Sequence, residues 1–297
     1  MQKFILACLC VLSFSIYADD KKSDYVYHYW DLRASDKRDE YQYRLLELAL
    51  EKTVRTHGKY ELTKNNEKYT SLRSRRELER GETINIIALP TPNWPAQDDD
   101  TKAPFIIKKP LLDGLLGYRK LVVRRSDLQK FEHINSAAEL QHLVAGQGRD
   151  WEDVNIYRYN NFTVVDNADY FNLFAMLDAG RFDYIPLSVI EIDDIMARFS
   201  KYSKDFVVVP NLIIYYPFPV LYNISSHHPA LAERLVQGLD IAQTDDSFKQ
   251  LFERYFGDDL ATLKVQNLKV FILKSPKVPS SLGLDKPVLL HDYKVMQ

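Results

Sequence analysis

The chain has 297 residues, 39 basic against 41 acidic, and 46 % hydrophobic residues. A charge this near balance gives no reason to expect nucleic acid or an anionic membrane surface as partner. Both cysteines, Cys8 and Cys10, sit near the N-terminus, so the rest of the chain offers no disulfide, thiol nucleophile or Cys-based metal site.

Met1-Gln2-Lys3 is a short positive start, Phe4 to Phe14 is nearly unbroken apolar chain, and Ile16-Tyr17-Ala18 ends in a small residue before polar Asp19-Asp20-Lys21-Lys22. That order is the pattern of a secretory signal, expected to be cleaved after Ala18. The apolar run is too short to span a bilayer, which takes about 20 residues. Ile5-Leu6-Ala7-Cys8 has the flavour of a lipidation site but leaves too little apolar chain before it. The expected location is therefore the periplasm, and the remaining chain suffices for one large domain or two lobes. The 19 tyrosines suit a core, or a pocket that grips apolar and polar groups together.

Tyr25 to Trp30 reads as a strand and Asp31 to Asp39 as polar loop. Tyr41 to Val54 has helical spacing of leucines and stops at Gly58. Tyr60–Thr63 is a short strand, Ser71 to Arg80 a charged helix ended by Gly81, and Ile84 to Leu89 a buried strand. This β-α-β-α-β order predicts a parallel sheet with helices on its faces. A second unit follows. Leu115 to Val123 looks extended, and Ser136 to Leu143 is a helix with a capping box from Ser136 and Glu139. Val154 to Tyr159 and Phe162 to Val165 are expected strands. Tyr170 to Asp178 is a helix closed by Gly180, and Phe182 to Pro186 a strand. Ile190 to Phe199 is a helix, and Phe206–Val209 and Leu212–Tyr216 are strands.

Pro229 to Ala242 is an amphipathic helix with Pro in the first turn and Ser226 as the expected cap. Ser247 to Phe256 is another, ended by Gly257. Residues 262–297 carry scattered prolines and read as a tail on the surface of a lobe. There is no repeat. Two α/β units with chain crossings near 112–118 and 211–218 imply two hinged lobes. The expected division is 1–18 signal, 19–112 with 218–297 as lobe 1, and 113–217 as lobe 2. In such sheets ligands sit beyond the carboxyl ends of the strands, so the cleft between lobes is the expected site.

Four segments carry a family resemblance. Asp36-Lys37-Arg38-Asp39-Glu40-Tyr41 with Leu45 to Thr53 resembles the first helix of family 3 solute-binding proteins. Pro110 to Arg119 is similar to the crossing of a less characterised branch, and Gly146-Gln147-Gly148-Arg149-Asp150-Trp151-Glu152-Asp153 to its second-lobe loop. Leu177-Asp178-Ala179-Gly180-Arg181-Phe182-Asp183-Tyr184 resembles the helix-turn-strand most members share. The resemblance implies the type 2 periplasmic binding protein fold, α/β with two Rossmann-like lobes joined by two hinge crossings. It implies capture of a small polar or anionic solute by hinge closure, for a separate ABC permease or membrane sensor, by a monomer that needs no cofactor and is not an enzyme. Amino-acid receptors of the family carry an Arg after the third strand and an Asp five residues beyond the Asp of the Gly-Arg-x-Asp turn. Here those places hold Thr91 to Asp98, without Arg, and Ser188. Both halves of the amino-acid clamp are missing from their expected places, so the sequence leaves the solute unnamed.

The candidate ligand-binding residues are Trp30, Arg33, Asn93, Trp94, Arg119, Gln147, Arg149, Trp151 and Ser188. Trp30, Arg33, Asn93 and Trp94 lie just past strands, where topology points to the cleft, although the tryptophans also suit rim packing. Arg119 can bind an anion bidentately or tie the two crossings together through a carboxylate. Gly146-Gln147-Gly148 offers backbone N–H groups to an oxyanion, with Arg149 beside it and Trp151 to stack on a ring; the other reading is an ordinary polar loop. Glu191 reads as a helix start. His227-His228 has no third ligand nearby and reads as a helix cap, so no metal site is expected. The competing activity is a dehydratase-like enzyme on the same fold, for which Asp31, Asp183 and Glu191 are the available carboxylates. A third reading is a structural partner with a filled cleft.

Overall fold

The computed structural model describes residues 25–31, 35–91, 103–149, 151–169, 172–199 and 205–296. The expected signal segment and Arg33, Asn93 and Trp94 lie outside the described residues. Two sheets organise the chain.

The first sheet has the order β2-β1-β3-β11-β4, from β1 (Tyr25–Trp30), β2 (Tyr60–Asn65), β3 (Ile86–Pro90), β4 (Phe105–Ile106) and β11 (Val220–Ile224). β1 runs parallel to both β2 and β3, while β11 returns antiparallel between β3 and β4. Side chains alternate across a strand. Tyr27 and Tyr29 of β1 therefore enter the main core, and Trp30 enters a smaller cluster with Leu78, Ile84 and Ile87. One face carries α1 (Asp36–Lys52), with the short α2 (Val54–His57) after it, and the other carries α3 (Ser71–Arg80). Gly81 stops α3 in the left-handed conformation, φ 70°, as the sequence predicts.

The second sheet has eight strands. Its order is β13-β12-β10-β5-β8-β6-β7, with β9 paired to β5. The strands are β5 (Tyr118–Arg124), β6 (Ala145–Gly148), β7 (Val164–Ala168), β8 (Tyr184–Ser188), β9 (Phe206–Val208), β10 (Leu212–Tyr215), β12 (Leu268–Ile272) and β13 (Tyr293–Val295). Its helices are α4 (Leu128–Glu132), α5 (Ala137–Gln141), α6 (Val154–Tyr159), α7 (Leu173–Asp178) and α8 (Ile192–Phe199). The capping box of Ser136 and Glu139 opens α5 as expected.

The chain passes between sheets at 107–117 and 216–219, the two expected crossings. There the backbones nearly touch: a Cβ on Gly117 would overlap the Tyr216 carbonyl oxygen.

Several expectations are corrected. Val154–Tyr159 is a helix, not a strand, and β11 was not foreseen. The first helix starts within the expected loop, at Asp36. His228 rather than Ser226 stands at the cap of α9 (Pro229–Thr244), where Pro229 takes the first-turn place foreseen for it. The next helix, α10 (Ser247–Ala261), runs through Gly257. The largest correction concerns the tail assigned to lobe 1. After α10 the chain makes a third passage between the sheets, back to the second, where β12 lies parallel to β10 and β13 parallel to β12. Leu268, Val270 and Phe271 there are buried, so apolar side chains drive the docking. Among the described residues no helix is long and apolar enough to cross a membrane.

Candidate functional site

β5, β6 and β8 bring three polar residues together. Arg119 is the register partner of Ser188 across the antiparallel β5–β8 pair. Ala145 is the partner of Tyr184 across the parallel β6–β8 pair. Alternation then puts Gln147 two residues past Ala145, and Ser188 four past Tyr184, on one face with Arg119. Gln147 and Ser188 sit at the carboxyl ends of parallel strands, where open α/β sheets hold ligands.

All three are buried. Arg119 Nε, both amide atoms of Gln147 and the Ser188 hydroxyl have no hydrogen-bond partner in the protein. Buried polar groups in native proteins are nearly always bonded, and an orphan costs about 1–3 kcal/mol. Four such atoms on one sheet face make it the candidate site.

The charge of Arg119 is answered locally. Its Nη2 lies 3.1 Å from Asp153 Oδ2, with both side chains buried. Its guanidinium lies 5.3 Å from the Tyr216 ring centre and 5.2 Å from that of Phe218. Tyr216 donates its hydroxyl to Asp153 at 2.5 Å. Burial drives the Tyr216 phenol well above its ordinary pKa, so it stays a donor. Burial also pulls on Arg119, but the combined field of Tyr216, Asp153, Glu191 and Tyr157 outweighs it and raises the guanidinium pKa. Arg119 thus ties the outgoing crossing to the return crossing through a carboxylate, one of the two roles read for it.

Gly146 and Gly148 work on the opposite face. A Cβ on Gly146 would overlap the Phe182 ring, and one on Gly148 the Trp151 indole. The two glycines let aromatic rings lie against the strand while Gln147 points the other way. This replaces the expected anion-binding turn. Arg149 N donates to Ala168 O at 2.8 Å, and Trp151 N to Gly148 O at 3.2 Å. Arg149 is exposed, with its guanidinium on Asn167 O at 3.2 Å. Trp151 packs on a second apolar cluster with Phe182 and Leu187. Trp30 is held by core packing: its indole donates to Glu67 O at 3.0 Å and stacks on Tyr69. The structure therefore gathers Arg119, Gln147 and Ser188, and turns Trp30, Arg149 and Trp151 elsewhere.

Two ion pairs join the lobes beside this cluster. Arg38, buried in the first turn of α1, reaches Glu191 Oε1 at 2.6 Å, three residues past Ser188. Arg75 of α3 meets Glu152 at 3.3 Å on the surface. The sequence reading missed Arg38, whose apposition to Glu191 is purely tertiary. Glu191 does stand at a helix start, as expected: it precedes α8 and its carbonyl accepts from Ile195 N at 3.0 Å. Of the carboxylates weighed for catalysis, Asp183 is bound by Val144 N at 2.8 Å and Glu191 by Arg38. His228 Nε2 bonds Gly81 O at 2.8 Å, and among the described residues no group of three His, Cys, Asp or Glu is placed to hold a metal ion.

No family model and no curated protein matches the chain by sequence. Solved structures do match in shape. A probable amino-acid ABC transporter extracellular-binding protein from Bacillus subtilis is 14 % identical, covers 79 % of this chain and 98 % of its own, with a TM-score of 0.53. A chain from work on glutathione import via GshT and the cystine ABC importer TcyBC of Streptococcus mutans is 14 % identical, covers 79 % and 95 %, and gives 0.51. The shared fold is that of substrate-binding proteins, two α/β lobes joined by crossings.

Proposed function

We propose that this protein is an exported solute-binding protein that closes its two lobes around a small polar solute and presents it to a separate membrane importer or sensor. The observation that carries the reading is the set of orphaned polar atoms on Arg119, Gln147 and Ser188, beneath a bridge from the first lobe to the second. A ligand between lobes supplies partners to such atoms and links the two bodies, which is how hinge closure is driven. Similar folds host enzymes, so the site rather than the fold carries the argument. The N-terminal apolar segment accounts for export in this reading, with cleavage after Ala18.

Mass spectrometry of molecules released when natively purified protein is denatured tests it. The expected result is a small polar molecule near one per chain, which raises the melting temperature when added back. Release of nothing, with no thermal response to any small solute, contradicts it.

A further inference from the structure

The polar cluster also constrains the class of solute, given the solute-binding reading on which this step rests. Every charge around it is answered within the chain: Arg119 by Asp153, Arg38 by Glu191. What remains unanswered is uncharged or a lone N–H, and it includes the Tyr157 and Tyr184 hydroxyls, each able to donate or accept. Arg119 Nε donates once. Gln147 Nε2 donates twice and its Oε1 accepts, and Ser188 does both.

We propose that Arg119, Gln147 and Ser188 recognise a carboxamide, and that the solute is an uncharged amide. A carboxamide oxygen has two lone pairs, for Arg119 Nε and Gln147 Nε2, and its nitrogen two hydrogens, for Gln147 Oε1 and Ser188 Oγ. A carboxylate brings acceptors only. It leaves Gln147 Oε1 facing oxygen and sets a second negative charge near Asp153 and Glu191. An ammonium brings donors only and faces the Arg119 and Gln147 N–H groups. A single hydroxyl carries one proton and leaves one of the two acceptors unanswered.

The test titrates solute-free protein with matched probes, nicotinamide against nicotinate and malonamide against malonate, with erythritol as the polyol, by calorimetry and thermal shift. The expected result is amide binding at least roughly tenfold tighter than its carboxylate partner, the scale of one or two net hydrogen bonds. Gln147→Met loses a similar factor and melts higher without ligand, because an orphaned amide has been replaced by apolar atoms of like volume. If that variant fails to fold, Ser188→Ala gives the same reading of affinity. Tighter binding of a carboxylate or of erythritol, or unchanged amide affinity in the variants, overturns the assignment and leaves solute binding standing. No binding by any of the three classes overturns the assignment too, and the solute-binding reading then stands or falls on the release experiment above.

Discussion

Arg119 holds its charge where water does not reach, and its ion pair with Asp153 is a liability as much as a support. Two buried charges lose their hydration and regain it only through each other and through Tyr216. Removing one partner strands the other. Arg119→Met should therefore cost roughly 3–5 kcal/mol in urea unfolding, and adding Asp153→Asn should recover part of that loss. A loss no larger than that of a surface substitution would show that the pair is hydrated. At this scale the sequence was partly readable. Arg119 is legible from its place on the crossing and Ser188 from its place after a second-lobe strand, while Gln147 stands out through its flanking glycines and not as part of a strand. Trp151 and Arg149 were drawn in by their chemistry, and only packing shows them turned away. Arg38 and Glu191 are 153 residues apart, beyond any local pattern.

Two helices show the same substitution with opposite sign. Gly238 of α9 lies against the Ala49 carbonyl of α1, where a Cβ has no room. Gly257 of α10 has nothing within 4 Å. Gly257→Ala should stabilise by roughly 0.5–1 kcal/mol, since alanine loses less backbone freedom in a helix. Gly238→Ala should destabilise by more than that gain, because α1 and α9 must move apart. Chemical denaturation of the two variants reads both signs. Lys52 at the end of α1 bonds Asp245 just past α9 at 2.5 Å. The Lys52 bond, then the two Ser247 bonds, hold the Asp245 carboxyl down to about 2. A folded-state pKa below the unfolded one gives stability that is fully present above the ordinary value of 3.8 and is lost as pH falls towards about 2. The melting-temperature gap between the parent and Asp245→Asn should shrink over that window. A gap that stays constant would refute the linkage.

Most elements were visible as apolar periodicity and glycine stops. α6 was not, because Val154-Asn155-Ile156-Tyr157 also alternates like a strand, while its buried Val154 and Tyr157 sit at helical spacing. β12 precedes the prolines of the tail it was grouped with, and its pairing with β10 is tertiary.

The whole molecule is two lobes bound by three chain passages and by charges that face each other. The tail fastens to the crossing strands: Tyr215 donates to Leu284 O at 2.6 Å, and Leu289 N to the Tyr118 hydroxyl at 3.0 Å. Its strands thus extend the sheet that carries Arg119 and Ser188, and in the proposed closure the first lobe moves against that enlarged body. Arg38–Glu191 and Arg75–Glu152 span the two lobes, and in the proposed hinge closure they hold the closed arrangement. Glu191→Gln should weaken solute affinity through closure, without touching Gln147 or Ser188, and titration calorimetry measures it. The two-lobe plan was legible because each half repeats strand and helix alternation. The lobe that owns the tail was not, since that depends on which sheet edge it meets.

Small-angle X-ray scattering of the solute-free and solute-saturated protein tests the central claim most directly. The account predicts a smaller radius of gyration with solute, and a saturated curve that matches the structure described above. Identical curves from the two samples, with solute shown to be bound, would contradict it.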